Sequence, residues 1–93
     1  MDKAEAGEIL ARITSELRKQ SYEELRGFLR DPHMREASGA GGATYQVEVQ
    51  VFWDDRQETN LRVMVSIDDG GLSAFKPLSD DFIIAPDGSF VGE

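Results

Sequence analysis

The 93-residue chain contains no cysteine. Disulfides, thiolate metal centres, iron–sulfur clusters and a cysteine nucleophile are excluded with it. No apolar run approaches the roughly 18 residues that a membrane-spanning helix needs, and no membrane association is expected. The first ten residues, MDKAEAGEIL, carry three acids and no apolar block, which predicts no secretory signal and a cytoplasmic location. Histidine occurs once, at His33, and the nucleophile pattern G-x-S-x-G does not occur. Catalysis by a lone imidazole requires a nucleophile and an orienting acid, so the chain is read as non-enzymatic, with no cofactor. Bases are also scarce: 10 Lys and Arg stand against 18 Asp and Glu, for a net charge of −8. A chain of that sign repels phosphate backbones, which argues against direct nucleic-acid binding.

What the chain does hold is enough apolar content, 40%, to fold as one domain. Its charge is uneven. Residues 1–43 carry eight acids and seven bases, whereas residues 44–93 carry ten acids and only Arg56, Arg62 and Lys76. Hydrophobic periodicity changes at the same place. In the first half Ala6, Ile9, Leu10, Ile13 and Leu17 recur at three- and four-residue steps, the stripe of an amphipathic helix over about 4–19. Asp2 with Glu5, and Ser21 with Glu24, have capping-box spacing. Tyr22, Leu25, Phe28 and Leu29 form a second stripe, which Asp31-Pro32 should end near Arg30. The two stripes read as one bent helix or two. Residues 36–43, within EASGAGGAT, read as a flexible connector. A phosphate-cradling loop is the other reading of those glycines. It would run from strand to helix with a nearby Lys, and this segment does neither.

The second half alternates with period two. Tyr45, Val47, Val49, Val51 and Trp53 define one strand face, and Leu61, Val63, Val65 and Ile67 another. Matching these faces sets Trp53 opposite Leu61, Val51 opposite Val63, Val49 opposite Val65 and Val47 opposite Ile67. Asp69-Gly70 carries the signal of a two-residue hairpin turn. A third strand over 72–76 would then set Ile67 opposite Leu72, Val65 opposite Ala74 and Val63 opposite Lys76. Residues 82–84 form a short apolar run, 85–88 a turn, and 89–91 a last short strand.

The expected fold is α+β, with one or two N-terminal helices packed on one face of a three- or four-stranded antiparallel meander. The single domain comprises a helical half over 1–35, the connector over 36–43, and the meander with its C-terminal turn segment over 44–93. The same registers put Phe52, Met64 and Phe75 on the opposite face beside Arg62, Gln50 and other polar residues. That face is too apolar for one left to water. Either residues 82–91 fold over it, or it binds a protein partner or a second copy of the chain as a homodimer. The expected function is therefore that of a small acidic interaction module, with Phe52, Met64, Phe75 and Arg62 as partner-binding residues. The alternative is a divalent-cation-dependent module or small enzyme using Asp54, Asp55, Asp80 and Asp81, which the meander would place at one end of the sheet. Hard cations take carboxylate oxygens, but aspartate pairs are also ordinary turn formers.

Overall fold

The structure is a computed structural model that describes residues 2–69 and 78–93. Helix α1 spans Lys3–Arg18, with Asp2 as its N-cap; the Asp2 carboxylate accepts from the Glu5 N–H at 3.0 Å. Helix α2, Tyr22–Arg26, is a separate short helix. Ser21 breaks the chain into an extended conformation and closes a full capping box with Glu24. The second helix ends at Gly27, four residues before Asp31, and the chain then turns through Arg30 in the left-handed region at φ 61°.

Four strands follow: β1 His33–Ser38, β2 Thr44–Trp53, β3 Leu61–Asp68 and β4 Leu78–Ile84. They form one antiparallel sheet in the order β1-β2-β3-β4. Both helices pack on one face, α1 across β3 and β4 and α2 on β3. The core lies between the layers. It joins Ala6, Ile9, Leu10, Ile13 and Leu17 to the inward residues of β2 and β3 and to Phe82 and Ile84. The α+β arrangement is thus the one that the two periodicities imply.

The β2–β3 register is the expected one at every position, from Val47 opposite Ile67 to Trp53 opposite Leu61. Two other expectations are corrected. The connector over 36–43 is only partly a connector, because Glu36, Ala37 and Ser38 belong to β1 and pair with Gln46, Tyr45 and Thr44. Strand β1 shows no alternation because it is exposed along almost its whole length; the backbone ladder to β2 holds it, without a buried face. What remains is a tight hairpin over 39–43, closed by the Gly39 N–H to the Ala43 carbonyl at 2.9 Å. Gly42 takes φ +87°, and a Cβ on Gly39 would overlap the Glu5 carboxylate.

The second correction is the partner of β3. Ile67, Val65, Val63 and Leu61 face Leu78, Asp80, Phe82 and Ile84, in place of Leu72, Ala74 and Lys76. The expected pairing would have set a lysine against Val63, which is fully buried. The observed one sets Phe82 there, and a buried face selects its register by what it buries. The expected strand over 72–76 otherwise lies outside the described residues.

The tail stays on the helix side. Phe82 and Ile84 enter the core. Residues 85–89 turn, and Phe90 returns to bridge Ile84, its ring edge-on to Phe82 at 5.7 Å. The Arg18 guanidinium lies over both rings and pairs with Glu93.

Candidate functional site: the outer face of the sheet

The helices and the tail both serve one face, so the other is open among the described residues. Its outward side chains follow from the pleat. They are Met34 and Glu36 on β1; Gln46, Glu48, Gln50 and Phe52 on β2; Arg62, Met64, Ser66 and Asp68 on β3; Ser79, Asp81 and Ile83 on β4. Met34 is 56% exposed and Phe52 40%, the two most exposed large apolar side chains among the described residues. Met64 and Ile83 are half-buried by their neighbours. Residues 82–91 do not fold back over this face: Phe82, Ile84 and Phe90 pack in or against the core, and Ile83 belongs to the face as an outward residue of β4.

Phe52, Arg62 and Ile83 form one cross-strand row, and Gln50, Met64 and Asp81 the next. Arg62 lies between two aspartates. Its guanidinium contacts Asp54 Oδ1 at 2.8 Å and bonds Asp81 Oδ2 across the strand. The hydrogen bond to Asp54, with the Asp81 bond in support, holds the arginine firmly charged. Arg62 is therefore engaged within the sheet, and its stem separates Phe52 from Ile83. Phe75 lies outside the described residues; the cross-strand neighbours of Met64 are Gln50 and Asp81. Met34 is a member of the face that periodicity missed, because β1 carries no apolar alternation. The only signal for it was the Pro32 boundary followed by residues able to extend.

The four aspartates do not converge as expected. Asp54 and Asp55 end β2, but Asp80 and Asp81 sit within β4, opposite Val65 and Met64. The Asp55 carboxylate accepts from the backbone N–H groups of Asn60 and Thr59, both at 2.9 Å. Those bonds lower its pKa and commit its Oδ1 to shaping the hairpin. Asp80 accepts from the Asp81 N–H, and Asp54 and Asp81 share Arg62. Among the described residues no three acidic or histidine side chains converge on a point that would hold an ion. His33 opens β1 and meets the Phe28 ring edge-on at 5.9 Å.

A cleft of about 270 Å³ opens at the edge of β2, next to Phe52. Strand β1 pairs with β2 only as far as His33 opposite Val49. Beyond that, the chain from Leu29 to Pro32 runs beside β2 and touches it at a Leu29–Val51 bridge. The walls are largely apolar, with Phe28, Leu29, Pro32, Val51, Phe52 and Trp53. Trp53 is half-buried, and Arg26 lies over its ring at 5.7 Å. No helix among the described residues is long and apolar enough to cross a membrane. Comparison of this chain with family models, with curated proteins and with solved structures finds no match.

Proposed function

We propose that the protein is a non-enzymatic interaction module that binds another protein through the outer face of its sheet. Phe52 and Met64 supply apolar contact, Arg62 a fixed polar centre, and Phe75 stays in the proposed set although it lies outside the described residues. One observation carries the reading. Phe82, Ile84 and Phe90 pack in or against the core on the helix side, and Ile83 is itself part of the outer face, while Phe52 and Met34 stay exposed among the described residues. Contiguous apolar patches rimmed by polar groups mark interaction sites, and here Phe52 is joined by its diagonal neighbour Met64 and by Ile83 across Arg62. Cytoplasmic residence belongs to the same proposal, as does the absence of direct nucleic-acid binding, which the charge of −8 supports.

The test is affinity capture of interacting proteins with the wild-type chain and with Phe52→Asp, both checked by circular dichroism. Phe52 is exposed, so the variant is expected to fold. A partner retained by the wild type and lost by the folded variant is the expected result. Capture of the same partners by both chains would remove the outer face from the proposal.

A further inference from the structure

We infer that the partner is a cationic polypeptide segment with one bulky apolar side chain, which enters the cleft beside Phe52 while basic groups lie against Glu48 and Glu36. This rests on the outer-face reading above and gives it a ligand chemistry.

The cleft supplies the anchor point. It exists because two pieces of backbone fail to close on β2. Strand β1 stops at His33, and the preceding turn swings away through Arg30, held left-handed at φ 61°. A left-handed arginine is an uncommon backbone state and is retained only where the surroundings impose it. The result is a largely apolar recess, walled on one side by Leu29 and Pro32 and on the other by Phe52 and Trp53, with the oppositely charged Arg30 and Asp31 at its lining as well. It is continuous with the exposed ring of Phe52 and is large enough for one side chain of that size.

The charge pattern fixes the sign of what lies alongside. Along the same face of β2, Gln50 and then Glu48 follow Phe52, and Met34 stands opposite Glu48 on β1. Glu36 is the next outward residue of β1 after Met34. Neither Glu48 nor Glu36 makes an ion pair or side-chain hydrogen bond among the described residues. The described outer face holds Glu36, Glu48 and Asp81 against a single base, Arg62, which is itself held between Asp54 and Asp81. A complementary surface is therefore basic. A second copy of the chain is a poor occupant, since it brings the same acids and a net charge of −8. Anionic lipid and nucleic acid are opposed for the same reason.

Phe52 lies four positions along the strand from Glu48, about 13 Å. An extended partner would place its first basic residue about four positions from its apolar anchor. The pattern to look for is one aromatic or aliphatic residue, then lysine or arginine at alternate positions.

The experiment uses the isotopically labelled chain and three synthetic peptides in a Ser/Thr background. The first has one Phe and, about four residues on, two alternating lysines. The second replaces its Phe with Ala, and the third its lysines with glutamate. Amide shifts are followed by NMR at low and high salt. Saturable shifts with the first peptide, clustered at Met34, Glu36, Glu48 and Phe52, are expected. Binding should weaken about tenfold or more with the glutamate peptide, and severalfold with the alanine peptide or at high salt. Glu36→Lys/Glu48→Lys should abolish it and Glu36→Gln/Glu48→Gln should reduce it. Glu8→Lys, on the exposed side of α1, should leave it unchanged.

Shifts spread over the whole acidic surface, equal loss with Glu8→Lys, or no saturable binding of the first peptide would overturn the inference. So would equal binding of the glutamate peptide at the outer face, although the outer-face reading would then stand. That reading fails separately, if Phe52→Asp keeps every partner captured by the wild type.

Discussion

Thr14 sits on the buried side of α1, and its hydroxyl finds no hydrogen-bond partner among the described residues. A buried hydroxyl without a partner loses its water and gains nothing in return. Valine has nearly the same shape. Thr14→Val is accordingly expected to raise stability by about 1 kcal/mol, read as a higher urea midpoint at unchanged slope. A lower midpoint would mean that the hydroxyl has a partner after all. Tyr45 is the opposite case, buried with its hydroxyl donating to Glu5 Oε1 at 2.7 Å. That bond to a carboxylate, with burial in support, pushes the phenol up to about 12. A free tyrosine titrates near 10. The stabilisation this contributes is whole below pH ~10 and is lost as pH climbs through the folded-state value. Tyr45→Phe should remove that part of the alkaline loss of stability, seen in thermal melts across the window. The inward position of Tyr45 was legible from alternation. Its bond to a residue forty positions earlier in the chain was not, because period says which way a side chain points and nothing of what meets it.

Elements with a buried face announce themselves, and those without one do not. The α1 stripe and the β2–β3 pairing were readable residue by residue, since each buries every second or every third-to-fourth position. At Ser21 the S-x-x-E spacing marked a helix start but left one bent helix or two open, and the extended Ser21 decides for two. Strand β1 left no pattern because almost nothing in it is buried, so the outer-face contribution of Met34 was invisible. Strand β4 misled in another way. The Asp-Gly turn signal pointed to a partner for β3 at 72–76, outside the described residues, whereas the described partner is β4, which sets Phe82 and Ile84 against Val63 and Leu61. The preference is measurable. Phe82 is buried and carries the edge-on contact to Phe90. Phe82→Ala should cost about 3–5 kcal/mol, read as a fall in the urea midpoint. It should also loosen the tail, raising amide exchange at Phe90 and Val91. A cost below ~1 kcal/mol would mean that β4 is not fixed by this residue.

At the scale of the whole molecule the distribution of charge and apolar surface sets behaviour. The helix side is closed by its own tail, and Arg18 stacks on Phe82 and Phe90 while pairing with Glu93. The outer side combines Met34 and Phe52 with an excess of acids. Apolar exposure favours association of two copies; the net charge of −8 opposes it. The balance therefore depends on pH. Near neutrality repulsion should win, and sedimentation velocity should show a monomer of 10.3 kDa. As pH falls toward the isoelectric point near 4.5, the carboxylates protonate and the repulsion fades. Reversible self-association should then appear, and it should enlist the outer face. Phe52→Asp would blunt it by removing the most exposed aromatic ring among the described residues, whereas Glu8→Gln on α1 would leave it alone. A stable dimer at neutral pH and low salt would show that apolar contact outweighs repulsion, which would make a second copy the natural occupant of this face. Association at low pH that ignores Phe52→Asp would place the adhesive surface elsewhere. Loss of charge unmasks whatever apolar surface a molecule leaves uncovered, so the pH series locates that surface without any knowledge of the partner.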